Sequence, residues 1–338
     1  MKILIIRFSS MGDIVQAMSV ISAILQRYPA AKIEWVTKQE FKGLLSLDSR
    51  INKIWSLDRK QGLLGLIRLA IQIRKSDQIE PYDVIYDAHQ NLRSLVLKWT
   101  LRPFWVVVPR GVITRSKQRL RRVYLFLFKI NLFPKPFRGM ISYLEPLRSL
   151  NISVDHILKG QWDFNQNTRD RVDSLLPKIN HLALAPSAAW EMKRWPVEHW
   201  RNLVALLPDL NFVLLGGPQD DFLASIAQIA PERVLNLAGK LSLEESAYAI
   251  SCSKLLISAD TGMIHIADLL GHPGISLMGP TAFGYCSGSS IKTLEVAFPC
   301  RPCTKDGRGK CQRTIYQECM TAITPEAVAQ AILDRRIK

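Results

Sequence analysis

The chain has 338 residues, 48% of them hydrophobic and 22% charged, with a formal net charge of +16. That length suggests about two domains, and that composition excludes a disordered chain, a collagen or a coiled coil as a description of the whole. No apolar run approaches the ~20 residues of a bilayer span, the opening run at 3–6 is too short for a signal peptide, and six Cys are too few for a secreted disulfide scaffold. A cytoplasmic protein with reduced thiols is expected.

In chain order, residues 2–7 read as a short apolar strand, closed by Arg7. A Ser-Ser-Met-Gly-Asp turn follows, and a helical pattern then runs to Tyr28, before Pro29. Residues 33–37 are the next strand. Strand, turn, helix, strand is the signature of a βαβ unit and a parallel sheet. Further strands are predicted at 54–57, 84–87 and 105–108, and a helix at 65–79. Residues 117–137 read as a basic amphipathic helix with a loop. They suit either a solvated face or contact with an anionic membrane or ligand.

The alternation restarts near residue 181. Strands are predicted at 181–185, 211–215, 234–237, 255–258 and 275–278. Helices fall at 196–207, 222–230, 243–251, 262–270 and 325–336. Two such series imply two doubly wound α/β domains with a linker near 150–180. We take 1–160 as a basic first domain, 161–325 as a second, and 326–338 as a terminal helix.

Charge is uneven along the chain. Residues 1–160 hold 27 Lys and Arg against 11 Asp and Glu, whereas 161–338 hold 18 of each. Residues 88–144 contain 12 basic side chains and no acidic one, interleaved with aromatics from Trp99 to Phe137. The first half is therefore expected to meet something anionic.

No Gly-x-Gly-x-x-Gly follows the first strand and no Walker A sequence is present, which weakens hydride transfer and P-loop chemistry. The segment 255–267 ends a buried strand and opens a helix at Asp260-Thr261-Gly262. Asp260 or Thr261 can cap that helix. Its N–H groups then point out of the sheet's carboxyl edge, where phosphates bind, and Gly262 admits a close approach. His265 lies one turn in, as a site residue or a packed core histidine. Lys193 opens another helix and suits either a pyrophosphate or solvent. Asp220, after the Gly216-Gly217-Pro218 turn, suits ribose hydroxyls or merely a helix start. Asp13, after Gly12, suits a general base or a carboxylate favoured by the helix dipole. Cys300, Cys303, Cys311 and Cys319 supply four thiols for a structural zinc, though the second Cys-x-x-Cys pair is missing; a reduced loop cluster is the other reading.

At these residues the chain resembles the lipopolysaccharide heptosyltransferases of glycosyltransferase family 9, over nearly its full length. The resemblance is carried by Ile3-Leu-Ile-Ile-Arg-Phe-Ser-Ser-Met-Gly-Asp-Ile14, by Tyr82-Asp-Val-Ile-Tyr-Asp87 with Gln90, Leu92, Arg93 and Ser94, by Lys193-Arg-Trp-Pro-Val-Glu-His-Trp200, by Asp260-Thr-Gly-Met-Ile-His265 and by Gly279-Pro-Thr281. Ser19 stands where the family often has Pro. The resemblance implies a GT-B fold, with two Rossmann-like domains about a central cleft. It also implies inverting, metal-independent transfer of heptose from ADP-heptose to the acidic lipid A core at the cytoplasmic face of the inner membrane. In those terms Asp13 corresponds to the base. Lys193, Asp220, Asp260, Thr261, Gly262 and His265 correspond to the donor site. Arg93, Arg119, Arg121 and Arg122 are expected to meet the acceptor or the membrane, with no nucleic acid as partner. The rival readings are an enzyme using another nucleotide sugar, a two-domain solute-binding protein, which would need export, and a nucleic-acid binder with steeply salt-dependent affinity.

Overall fold

The structure is a computed structural model, and residues 1–103, 111–154 and 156–335 are described. Two compact units emerge: residues 1–118 with 140–163, and residues 119–139 with 164–338.

The first unit is built on five strands, β1 (Lys2–Ile6), β2 (Lys32–Lys38), β3 (Ile51–Leu57), β4 (Val84–Asp87) and β5 (Val112–Thr114), in the order β3-β2-β1-β4-β5. All pairs are parallel, with Ile3 opposite Ile33 on one side and Val84 on the other. Every residue of β1 is buried, as a central strand covered on both faces must be. The helix Met11–Arg27 links β1 to β2, Gly62–Ile79 links β3 to β4, and Leu92–Leu101 leads to β5. The last two pack against each other. Their Leu66, Leu69, Ile73, Leu97 and Leu101 share one core with Leu4, Ile6 and Ile85 of the sheet. From β1 the chain first winds outward to β3, then returns to β4 on the opposite side of β1. The carboxyl ends of β1 and β4 therefore flank the topological switch point, where open α/β sheets take their ligands.

The second unit repeats the plan with six parallel strands, β6 (His181–Ala185), β7 (Asn211–Leu214), β8 (Val234–Asn236), β9 (Leu256–Ala259), β10 (Gly274–Met278) and β11 (Ile291–Glu295). The order is β11-β10-β9-β6-β7-β8, and the switch point lies between β6 and β9. Its core joins Leu184, Phe212, Ile257 and Leu277 to Trp195, Trp200 and the terminal helix Pro325–Leu333. Trp195 and Trp200 meet edge to face at 4.9 Å, and the Trp195 indole donates to the carbonyl of Ile323 at 2.8 Å. The segment bearing Lys193 is thereby anchored to the far end of the chain.

The predicted strand at 105–108 lies outside the described residues. Residues 119–139 pack with the second unit, because their aromatics close on Phe283. Phe126, Phe133 and Phe137 stand 6.1, 5.1 and 4.9 Å from its ring centroid. The sharp charge contrast expected between the two halves is corrected by this packing. The first unit holds 21 Lys and Arg against 12 Asp and Glu, and the second 24 against 17, so they carry +9 and +7. The basic run had been assigned by chain position, and packing divides it between both units.

Candidate active site

In the first unit, Asp13 occupies the third position of the helix Met11–Arg27, just past the carboxyl end of β1. Its Oδ2 accepts from Ser10 Oγ at 2.8 Å and from the Ser10 N–H at 3.3 Å, closing a capping box. The same oxygen lies 2.7 Å from an Arg7 Nη, and Oδ1 accepts from the Tyr143 hydroxyl at 3.0 Å. Arg7 is buried and donates to the carbonyl of Ala88 at 2.8 Å, which ties the ends of β1 and β4 together. Tyr143 is held in turn by the Arg115 guanidinium, 3.8 Å from its ring centroid, and through its carbonyl by the Tyr86 hydroxyl at 2.6 Å. Burial works to raise the pKa of Asp13. The Arg7 guanidinium, with Ser10, Arg115 and Tyr143, outweighs it and holds the carboxyl well below the usual carboxylate range. Even so, 41% of the side chain stays open to solvent. An ionised carboxylate thus faces outward from a cationic socket. His89 sits beside it against Phe8, pushed down to about 3 by burial, then by Arg7 and Lys117, so its imidazole is neutral at pH 7.

In the second unit, the loops after β6 and β9 converge. Lys193 Nζ lies 2.9 Å from Asp260 Oδ2, which also accepts from the Thr281 hydroxyl at 2.7 Å. His265 Nε2 stands 3.5 Å from Asp260 Oδ1. Burial would raise the pKa of Asp260, but Lys193 first, then His265 and Thr281, hold it well below the carboxylate range. Thr261, not Asp260, caps the helix Gly262–Leu270. Its Oγ1 takes the Met263 N–H at 3.2 Å and meets Ser258 Oγ at 3.0 Å. The remaining first-turn N–H groups have no partner within the helix and face the same switch point. Two glycines make room. At Gly284 a Cβ would overlap the Asp260 carboxylate, and at Gly307, with φ +95°, it would come within 2.7 Å of the Lys193 stem. This arrangement sets a lysine, a histidine and a helix N-terminus, groups that suit an anion, around one organising carboxylate.

The other predicted residues are placed differently. Asp220 bonds Ser187 Oγ at 2.6 Å and the Gly217 N–H at 2.7 Å, bracing the loops after β6 and β7. Arg93 is exposed on the Leu92–Leu101 helix of the first unit, whereas Arg119 and Arg121 are exposed on the second unit. Arg122 is half-buried over the Phe283 ring at 4.8 Å. Of the four arginines expected to meet the acceptor or the membrane, Arg93 therefore belongs to the first unit and Arg119, Arg121 and Arg122 to the second. All six cysteines are free. Burial, then the neighbouring Cys300 and Cys311, raise the Cys303 thiol, and burial pushes Cys319 up to about 11 with Cys303, Cys300 and Cys311 adding to it. Among the described residues, one group of three potential ligands gathers within 4.8 Å, His265, Asp268 and Cys286. Burial raises both Asp268 and Cys286, and Asp268 is engaged by the N–H groups of Ser287 and Gly288 at 2.7 and 2.8 Å.

Arg7, Tyr143, His89 and Gly284 escape sequence reasoning. Arg7 marks only the end of an apolar run, and Tyr143 is 130 residues from its partner Asp13.

Residues 74–312 match the sequence pattern of glycosyltransferase family 9 (heptosyltransferase). The chain belongs to that family. This glycosyltransferase is 22% identical over 306 residues to lipopolysaccharide heptosyltransferase 1 of Escherichia coli strain K12, covering 85% of this chain and 91% of that one. Its fold is similar to that of E. coli ADP-heptose lps heptosyltransferase II, with a TM-score of 0.74 and 19% identity over 99% and 98% of the two chains. E. coli heptosyltransferase WaaC solved with ADP-2-deoxy-2-fluoro heptose is also similar, with a TM-score of 0.69 and 22% identity over 99% and 100%. The GT-B class of fold, two Rossmann-like α/β units, agrees with both sheets described above.

Proposed function

We propose that this glycosyltransferase moves heptose from ADP-L-glycero-D-manno-heptose to the inner core of lipopolysaccharide, with inversion and without a catalytic metal. The observation that carries the reading is the socket at the β6–β9 switch point. It gathers Lys193, His265 and a capped helix N-terminus around Asp260. The relatives named for ADP-heptose or solved with its fluoro analogue support the choice of donor.

In this reading the diphosphate sits against Lys193 and the N–H groups at Thr261 and Gly262. Asp260, acceptor-only when ionised, repels phosphate and serves as a positioning residue for Lys193 and His265. Asp220 holds the loop beside the ribose. The acceptor hydroxyl attacks the anomeric carbon as the bond to ADP breaks, and the electron pair leaves with the diphosphate. Fixed donors stabilise that developing charge, each typically contributing about 10²–10³ in rate, which removes the need for Mg²⁺. Asp13 takes the proton. Its depressed pKa makes it a weak base, so transfer to it comes late, once the oxygen has begun to bond to carbon and turned acidic. The acceptor is an acidic lipid at the inner membrane surface, consistent with the excess of Lys and Arg on each unit. No helix among the described residues is long and apolar enough to cross that membrane.

The test is incubation of the full chain, in EDTA, with ADP-heptose and lipid A cores truncated at successive sugars. ADP release with one core, accompanied by a product heavier by one heptose, is the expected result. Turnover of other nucleotide sugars but not ADP-heptose overturns the donor assignment.

A further inference from the structure

The helix Arg119–Leu127 is oriented against the usual rule for a soluble domain. Leu125 and Phe126 point inward with Arg122, against the second unit's aromatic cluster. On the opposite side an apolar stripe faces solvent. Leu120 is 78% exposed, Leu127 71% and Phe128 58%, with Val123 and Tyr124 exposed between them. At about 100° per residue these five positions lie on one side of the helix, and Arg119 and Arg121 fall on its two rims. The chain continues with exposed Ile130 and Leu132 beside Lys129. Contiguous exposed apolar side chains of this kind mark an interaction site.

We infer that this stripe inserts into the surface of an anionic lipid bilayer. Charge complementarity selects that occupant. No acidic residue occurs anywhere in 88–144, so every charge that this segment itself places beside the apolar face is a cation. Arg119, Arg121 and Lys129 can lay their stems along the acyl boundary and keep their charges among the headgroups. Nine residues are far too few to span a bilayer, so the helix lies in the interface. The inference deepens the proposed function, which requires the enzyme to reach a lipid-borne acceptor, and adds five side chains which that reading does not use.

The experiment is co-sedimentation of the full chain with vesicles of equal parts phosphatidylethanolamine and phosphatidylglycerol, beside vesicles of phosphatidylcholine alone. Wild type is expected to sediment with the anionic vesicles, less so at high salt, and weakly with the neutral ones. Leu120→Glu/Leu127→Glu is expected to lower the partition constant about a hundred-fold, since each leucine contributes about ten-fold. Leu120→Ser/Leu127→Ser serves as a second variant with an unchanged melting temperature as its control. The inference is overturned if wild type stays in solution with anionic vesicles, or if both variants sediment as wild type does. It is also overturned if the stripe seats a second copy, seen as a wild-type dimer that Leu127→Glu dissociates. Turnover with a delipidated soluble acceptor is read separately, so loss of vesicle binding and failure of the heptosyltransfer reading are distinguishable.

Discussion

Asp13, Lys193 and Asp260 could be singled out as candidates because each lies in the segment that follows a buried strand, at the carboxyl edge of its sheet. Their pairing was not legible: Tyr143 reaches Asp13 from 130 residues away, and neither Arg7 nor Thr281, though both stand in the motifs that carry the family resemblance, could be matched to its carboxylate from sequence. Replacing Asp13 with Asn keeps the shape of the socket but removes the proton acceptor. Transfer should fall by about 10²–10⁴-fold with ADP affinity unchanged by calorimetry; near-normal turnover removes the base assignment. The same residues set an acid limit. His89 ionises at about 3 in the fold against a reference of 6.5. The unfolded chain therefore takes up a proton that the fold refuses, and stability falls as pH drops below 6.5, by up to about 1.4 kcal/mol per pH unit. Asp13 and Asp260 are shifted the same way, down from 3.8. The stability they contribute is fully present above about pH 4 and is lost as pH falls further. Thermal melts from pH 8 to 3 should show both stages, and His89→Gln should flatten the first.

Among the elements, the strongly periodic ones could be read to within a few residues, as with β4 at 84–87 and the helix Gly262–Leu270. Two edge strands escaped. β5 has only three residues, and β11 pairs on one side, with only Ile291 fully buried. The basic stretch at 117–137 reads from sequence as a solvated face or an anionic contact, whereas three of the five aromatics in 119–139, Phe126, Phe133 and Phe137, build a cluster on Phe283. Nothing local distinguishes the inward Phe126 from the outward Phe128. The loop carrying Gly284 gives the clearest test at this scale. Gly284→Ala places a methyl in the Asp260 carboxylate, so Asp260 must move and release Lys193. Loss of a buried ion pair costs about 3–5 kcal/mol. A melting temperature lowered by several degrees together with weakened ADP binding is expected, whereas an unchanged melt and affinity would show that the loop yields.

For the whole molecule, two doubly wound units were foreseeable from the two alternating series, and the family match agrees with them. The net charge of +16 was legible, but its partition was not, because residues 119–139 lie between two stretches of the first unit and yet pack with the second. What unites the account is the proposal that the Lys193–Asp260 site of the second unit takes a diphosphate. It is tested most directly by calorimetric titration of ADP and AMP, in EDTA, into wild type and Lys193→Ala. A charge-assisted contact to the terminal phosphate contributes about 1.5–3 kcal/mol, so wild type should prefer ADP to AMP by roughly 10–100-fold, and the variant should lose most of that preference. Equal affinity of wild type for ADP and AMP, or an undiminished preference in Lys193→Ala, would contradict it.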